Sequence, residues 1–209
     1  LRRMPALRAL ELSRVLLPDA SAGELFRPSS AEALPLRTLT VKEADLTPAA
    51  ARALAATGWR LEELVLSDNL RLGADGVTAL AAAPSFAIRR LNLARCDLDA
   101  AALLGVANAP WPLEELNVSW NDFKGATALP ALAALSERTG LRRLDVSFCL
   151  SAASFKALLE TDWPSLTYFR ARGDVEFDGP HALGPAAFAG FPALEALDLS
   201  FVTLHEAGA

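Results

Sequence analysis

The sequence predicts an α/β solenoid, a single domain over residues 1–209 with a parallel concave sheet and a mostly helical convex side. Two observations lead to this prediction. One apolar pattern recurs eight times, and the segments between its copies have helical spacing or are rich in Gly and Pro. A period of about 20–50 residues is typical of repeat proteins, in which neighbouring repeats bury one continuous core.

Each copy of the pattern has apolar residues at its first, fourth and sixth positions and a small polar residue or cysteine at its ninth. The clearest copies cover residues 61–69, 113–121 and 141–149. The eight copies begin at Leu7, Leu36, Leu61, Ile88, Leu113, Leu141, Leu166 and Leu194. A pattern that recurs in phase eight times is a strong signal, whereas one copy would mean little.

This pattern, LxxLxLxxN or LxxLxLxxC, resembles the strand signature of the leucine-rich repeat family over nearly the whole chain. Successive copies start 25 to 29 residues apart, which is nearest to the ribonuclease-inhibitor-like branch with its long, helix-containing repeats. The resemblance implies a right-handed horseshoe whose concave sheet binds other proteins.

The strands and helices can be placed from local signals. Alternation of the fourth and sixth positions predicts short strands whose inward pairs are residues such as Leu116 and Val118. Thr47-Pro48 predicts the start of a helix over 49–56, and Ser151 predicts one over 152–160. Two segments rich in Gly, Pro and Ser, 17–35 and 173–185, are predicted to be irregular. The chain is expected to end within a last helix.

The ninth position has its own chemistry. Asn69 and Asn121 are expected to bind the loop backbone that leaves each strand, inside the solenoid. Cys96 and Cys149 occupy the same position two repeats apart, about 10 Å from each other, which is beyond disulfide reach. They are predicted to be buried, reduced thiols, and two cysteines without a disulfide framework favour a cytoplasmic location.

The aromatic residues fall into two groups. The first group recurs two or three residues before a repeat start and is predicted to lie in the core: Trp59, Phe86, Trp111, Trp163 and Phe191. Trp120, Phe148 and Phe201 instead share the eighth position, at the concave rim. Either they form one exposed surface or they fold over the sheet edge into the core.

Charges at the second and third positions alternate in sign, from Glu62-Glu63 to Arg89-Arg90, Glu114-Glu115 and Arg142-Arg143. One interpretation is a ladder of ion pairs between adjacent strands, and the other is a charged ligand surface. Repeat seven breaks the alternation with Tyr168, followed by Arg170 and Arg172. Either both arginines are available to a partner, or Arg170 pairs internally with Asp145 and Asp198 of the neighbouring strands.

A protein-binding site is predicted mainly on repeats 5–8, because exposed Trp, Tyr and Arg are enriched in interface hot spots. The sheet should be on the order of 35 Å wide, which suits a macromolecule better than a small ligand. The candidate residues are Arg95, Trp120, Phe148, Tyr168, Arg170, Arg172 and Phe201.

The motifs predict no enzyme, cofactor or metal. His205-Glu206 resembles half of HExxH, but Ala209 stands where the second histidine would be needed. His181 is expected in a solvated loop. A net charge of −5 gives no basic footprint for nucleic acid, and no apolar run is long enough for a membrane span.

Three functions remain open. The first is a protein–protein interaction scaffold. The second is the substrate-recognition arm of a larger enzyme or effector, since a start without Met and an uncapped first repeat suggest part of a longer chain. The third is self-stacking through uncapped ends.

Overall fold

A computed structural model describes residues 4–27, 34–124, 128–173, 175–178 and 185–205. Within these ranges strands and helices alternate along the chain. The strands are β1 (Ala9–Ser13), β2 (Thr38–Lys42), β3 (Glu63–Val65), β4 (Arg90–Asn92), β5 (Glu115–Asn117), β6 (Arg143–Asp145), β7 (Tyr168–Arg170), β8 (Val175–Asp178), β9 (Ala196–Asp198) and β10 (Val202–His205). The α-helices are α1 (Asp19–Leu25), α2 (Pro48–Ala55), α3 (Gly73–Ala81), α4 (Ala100–Asn108), α5 (Leu129–Ser136) and α6 (Ala152–Leu159).

Eight of the strands form one parallel sheet in the order β1 to β7 and then β9. The register places identical repeat positions opposite one another, so that Leu64 pairs with Leu91 and Leu91 with Leu116. The predicted eight parallel strands are therefore confirmed, and the alternation of strand and helix is compatible with a repeat solenoid.

Helices α2 and α6 begin at residues whose side chains cap them. The Thr47 hydroxyl accepts hydrogen bonds from two amides of the first turn of α2, and the Ser151 hydroxyl accepts one from the Ser154 amide of α6. Both predicted helix starts are confirmed. Helices α2 to α5 each contact the next one along the chain. None of the described helices is both long and apolar enough to cross a bilayer.

Three local expectations are wrong. The segment 17–35 contains helix α1, because Ala22 and Phe26 lie one turn apart and are both fully buried. The segment 173–185 contains strand β8, which pairs in parallel with β10 in a separate two-stranded sheet. That pairing also replaces the expected last helix over residues 202–205. Residues 28–33, 179–184 and 206–209 lie outside the described ranges.

The core lies between the large sheet and the helices. The fourth- and sixth-position side chains of the middle repeats are 0–3% exposed. The five aromatic residues that precede repeat starts are 2–5% exposed, which confirms them as core. Leu197 on β9 is 41% exposed, since within the described residues no further strand lies beside it.

Asparagine at the ninth position forms hydrogen bonds with the backbone of the preceding repeat. The Asn69 Oδ1 accepts hydrogen bonds from the backbone amides of Ala44 (3.0 Å) and Leu46 (3.1 Å). Its amide group donates to the carbonyl of Val41 at 2.8 Å. Asn121 makes the same set of bonds in its own repeat. The predicted role of these asparagines is confirmed.

The two thiols at the ninth position are free and buried, as predicted. The Cys96 thiol donates to the Leu66 carbonyl at 3.1 Å, and the Cys149 thiol donates to the Val146 carbonyl at 2.8 Å. Burial raises the pKa of Cys96 to about 12 and raises that of Cys149 well above its ordinary value. Both side chains therefore act as structural hydrogen-bond donors.

Candidate functional site

The backbone adopts positive φ at the eighth position of every repeat. These residues form a row along the carboxyl ends of the strands, called here the eighth-position row: Arg14, Glu43, Asp68, Arg95, Trp120, Phe148, Gly173 and Phe201. The seven non-glycine members have φ between 49° and 69°.

The sheet imposes this backbone conformation. In repeats one to seven, the amide of the eighth-position residue donates to the seventh-position carbonyl of the next repeat, as Trp120 does to Ser147 (2.8 Å) and Arg95 to Ser119 (3.0 Å). The turn therefore continues the hydrogen bonding between repeats beyond the end of each strand. Residues with bulky side chains such as Trp rarely adopt positive φ. No local motif in the sequence indicates that the eighth-position residues do so.

The first half of the row is polar. Arg14 pairs with Glu43 at 3.2 Å, and Arg95 pairs with Asp68 at 3.0 Å. These ion pairs are solvent-exposed, so that each adds at most about 1 kcal/mol to stability.

The second half of the eighth-position row is aromatic, and it contacts the polar first half. The Arg95 guanidinium lies 5.8 Å from the centroid of the Trp120 ring. The rings of Trp120 and Phe148 are stacked at 4.2 Å, and the Phe148 and Phe201 centroids are 6.1 Å apart. A cation and three rings thus form one file over repeats 4–8.

Gly173 makes the contact between Phe148 and Phe201 possible. It occupies the eighth position of repeat seven, between Phe148 and Phe201, with φ +154°. A Cβ at this position would lie 3.4 Å from the Phe148 nitrogen and 3.8 Å from its ring. Because no side chain stands between them, the two phenyl rings meet across repeat seven.

The aromatic half is largely open to solvent. Trp120 is 52% exposed and Phe201 is 64% exposed, while Phe148 is half-buried between them. The alternative in which all three rings join the core is therefore wrong. An exposed, contiguous group of large apolar side chains is uncommon on a monomeric protein and usually marks a contact surface.

The arginines of repeat seven pair with neighbouring strands. Arg170 lies 3.5 Å from an Asp145 oxygen and 3.2 Å from Asp198, and Arg172 lies 3.5 Å from Asp198. The Nε atoms of both arginines are not aligned for hydrogen bonds, so their contacts with Asp198 are ionic rather than directed. The internal alternative is therefore correct for Arg170, whereas the pairing of Arg172 with Asp198 was not predicted from the sequence.

Asp198 is held in its charged form by its surroundings. Hydrogen bonds from the Ser200 hydroxyl (2.6 Å) and amide (3.1 Å), and then the charges of Arg172 and Arg170, keep its pKa below the usual range. The Arg172 guanidinium also lies 5.6 Å from the Phe201 ring. Asp198 therefore fixes arginine side chains beside the aromatic half of the row.

Tyr168 lies on the open face of the sheet, the side formed by third- and fifth-position side chains and not covered by helices. Its ring is 4.4 Å from the Arg143 guanidinium and 5.4 Å from that of Arg170. The ring is half-buried. This stack joins the open face to the arginines beside the row.

The alternating charges form the predicted ladder of ion pairs. At the third position Glu63 pairs with Arg90 at 2.8 Å, and Glu115 pairs with Arg143 at 3.8 Å. At the second position the pairs are Arg37 with Glu62 and Arg89 with Glu114. The charges on this face are thus largely balanced within the chain.

All seven predicted site residues belong to one surface. Arg95 and the three rings form its file along the strand ends, Arg172 flanks Phe201, and Arg170 with Tyr168 extends it onto the open face. The arrangement supplies apolar contact area and fixed positive charges.

Sequence reasoning missed two residues of the open face. Asn92 and Asn117 lie opposite each other on β4 and β5 and line a depression of about 250 Å³. Their only signal in the sequence is an Asn or Asp at the fifth position, which recurs in repeats 4, 5, 6 and 8.

Among the described residues, no group of His, Cys, Asp and Glu is arranged to hold a metal ion. His181 lies outside these residues. Comparison of the chain with protein-family models gives no match, and comparison with curated proteins gives none either.

Proposed function

We propose that this chain is a leucine-rich repeat scaffold of the right-handed, ribonuclease-inhibitor-like type, and that it binds a protein partner on the concave side of its sheet, mainly through repeats 5–8. The observation that carries the proposal is the exposed file of Arg95, Trp120, Phe148 and Phe201. Two free, buried cysteines are compatible with a cytoplasmic location.

The size and shape of this surface favour a macromolecule. The file extends over repeats 4–8, and strands in a sheet are about 4.8 Å apart, so it is on the order of 20 Å long. The Trp120 and Phe201 rings are more than half exposed, and the file lies on an open surface rather than in a cavity. Small molecules are usually held in concave pockets that cover most of their surface, whereas a protein can cover an open strip of this length.

The residue types favour a protein in particular. Trp, Tyr and Arg are the side chains that most often dominate binding energy at protein interfaces. Here ion pairs and ring stacks hold several of them in place, so that little side-chain freedom would be lost on binding. The balanced charges of the open face favour a partner that is not strongly charged.

The positions of Trp120 and Phe148 add a second argument. Both have positive φ, where Gly, Asn or Asp would be easier to accommodate. A large ring that is exposed there contributes little to the core. The turn itself does not require a ring, because Glu43 and Asp68 form it at the same position of other repeats, which supports a binding role for the rings.

The test compares capture by the intact chain and by two variants, with the captured proteins quantified by mass spectrometry. The double variant Trp120→Ala/Phe148→Ala removes the stacked rings. The control, Leu70→Ala, removes a side chain that is 60% exposed but lies outside the eighth-position row. We expect one protein to be recovered at least tenfold less with the double variant and unchanged with the control, while the double variant melts within a few degrees of the wild type.

Two results would contradict the proposal. One is equal recovery of every captured protein with the double variant and the wild type. The other is a melting temperature lowered by many degrees with capture intact, which would show that the rings are structural.

A further inference from the structure

The fifth position of four repeats carries the same local turn. In each, the Oδ1 of an Asn or Asp accepts a hydrogen bond from the amide two residues later: Asn92 from Ala94 (3.0 Å), Asn117 from Ser119 (3.0 Å), Asp145 from Ser147 (3.0 Å) and Asp198 from Ser200 (3.1 Å). The side-chain oxygen therefore forms the turn at the strand end, and either residue type supplies it.

The two asparagines have a group that the turn does not use. Because Oδ1 faces a backbone N–H, the Nδ2 of each carboxamide is directed to the other side. Within the described part of the chain, neither the Asn92 nor the Asn117 Nδ2 has a hydrogen-bond partner. Both residues are half-buried and line the depression on the open face. Two adjacent strands thus present unused donors side by side.

The surroundings of these donors are electrically balanced. The depression is bordered on one side by Glu63 with Arg90 and on the other by Glu115 with Arg143, and each pair is within ion-pairing distance. Asp145, which also lines it, is paired with Arg170 on the next strand. An anion therefore gains no net attraction here, and a neutral acceptor fits the donors better.

We infer that Asn92 and Asn117 form a subsite that binds the neutral backbone carbonyl groups of an extended polypeptide segment. This inference rests on the proposed function, since it names the part of a protein partner that lies on the open face beside the aromatic file. A helical segment of the partner would not bind these donors through its backbone, because its carbonyl groups are already hydrogen-bonded within the helix. An extended or turn segment presents free carbonyl groups at close intervals.

The experiment uses nuclear magnetic resonance on the intact, ¹⁵N-labelled chain and observes side-chain amide signals. The probe is a blocked peptide, acetyl-triglycine N-methylamide, which offers carbonyl groups without charge. The variants Asn92→Asp and Asn117→Asp assign the two signals. We expect these signals to shift and saturate with the probe. Those of Asn69 and Asn121, whose amide groups already donate inside the fold, should stay unchanged.

Parallel titrations separate other ligands that could use the same donors. Acetate tests for an anion site, and maltose tests for a carbohydrate site. Shifts of the two signals with the blocked peptide and weaker ones with the other probes support the inference. No shift with the peptide, or stronger shifts with acetate or maltose, would overturn it.

The Asp variants give a second measurement once a partner has been captured. Asp145 and Asp198 already form this turn, so that Asn92→Asp/Asn117→Asp should fold like the wild type by circular dichroism. It replaces two donors by charged acceptors, and we expect partner affinity to fall at least tenfold. Asn108→Asp, an equal charge change per site at an exposed helix end, should leave affinity unchanged. Affinity unaltered in the double Asp variant would count against the subsite.

Failure of this inference is distinguishable from failure of the proposed function. The peptide titration requires no partner, and the rings of Trp120 and Phe148 do not line the depression. If Trp120→Ala/Phe148→Ala leaves partner capture intact while the Asn signals still respond to the peptide, only the proposed role of the aromatic file is wrong.

Discussion

The indole ring of Trp120 stacks on the phenyl ring of Phe148, with centroids 4.2 Å apart and planes inclined by 19°. The two residues belong to adjacent repeats and share the eighth position. Adjacent strands are about 4.8 Å apart, which is close to the separation of stacked rings. Aromatic residues at one exposed position of successive repeats therefore meet face to face, as a consequence of the strand spacing.

Trp120 should contribute little to stability. Trp120→Asn removes a stack worth about 0.5–1.5 kcal/mol but also relieves a bulky residue at φ +61°. We expect the free energy of unfolding in urea to change by less than about 1 kcal/mol, because these two effects oppose each other. A loss of several kcal/mol would show that the ring is part of the core.

Substitution of Gly173 should destabilise the protein. Gly173→Ala places a side chain at φ +154°, a conformation that residues other than glycine rarely adopt, so that we expect a destabilisation of about 1–3 kcal/mol. Thermal and urea denaturation would measure it. Gly58→Ala is the comparison, since Gly58 has φ +72°, in the left-handed region that other residues occupy at lower cost, and has open space around its Cβ. A larger loss for Gly58→Ala would show that the backbone conformation of Gly173 is not the main constraint.

The same substitution should destabilise the chain to very different extents at two asparagines of repeat five. Asn117→Asp keeps the oxygen that forms the turn and should cost less than about 1 kcal/mol. Asn121→Asp loses the donors that bind Leu93 and Val118 and buries a carboxylate, which should cost at least about 2 kcal/mol. Equal costs in urea denaturation would show that one of the two hydrogen-bond assignments is wrong.

The register of β5 can be tested in the same way. Leu116 is 2% exposed, and Leu116→Ala should cost about 2–5 kcal/mol. The adjacent Glu115 is in an exposed ion pair, so that Glu115→Ala should cost less than about 1 kcal/mol. If both variants lose the same stability, the assigned alternation of buried and open-face positions does not hold.

Both cysteines should be unreactive in the folded protein. The pKa of Cys96 is about 12, and that of Cys149 is also raised, so that neither thiol is ionised near pH 8. We expect an aromatic disulfide reagent to label neither thiol until the chain unfolds. In the unfolded chain both pKa values fall to about 8.5, so the stability due to these protonated thiols is fully present below that pH. It is lost as pH rises above that value, toward about 12 for Cys96. Rapid labelling of the native protein at pH 8 would contradict this.

Several features could be predicted from the sequence because they depend on local chemistry. The recurring pattern places the eight parallel strands and their inward leucines, and the capping residues Thr47 and Ser151 place the starts of α2 and α6. Helix α1 and strand β8 could not be predicted, because their local composition favours turns and they form through packing against neighbouring elements. The three rings of the aromatic file could be predicted from one repeat position, but not the contacts among them.

The structural role of Arg138 could not be predicted from the sequence either. Its guanidinium donates to the carbonyls of Ala107 (2.6 Å) and Ala109 (3.0 Å) at the end of α4, and burial lowers its pKa. A cation at the carboxyl end of a helix is stabilised by the unpaired carbonyls there. Nothing in the sequence around Arg138 indicates this role, because its acceptors come from the previous repeat.

The sequence by itself determined the eight strands of the large sheet, their buried positions and the residue types along the open face and the eighth-position row. These follow from apolar periodicity, which acts within a few residues. Only the tertiary structure decided that the eighth-position backbone has positive φ, that Gly173 lets Phe148 reach Phe201, and that the Asn92 and Asn117 donors remain unused. Those features depend on hydrogen bonds and distances between repeats, which arise only when one repeat lies against the next.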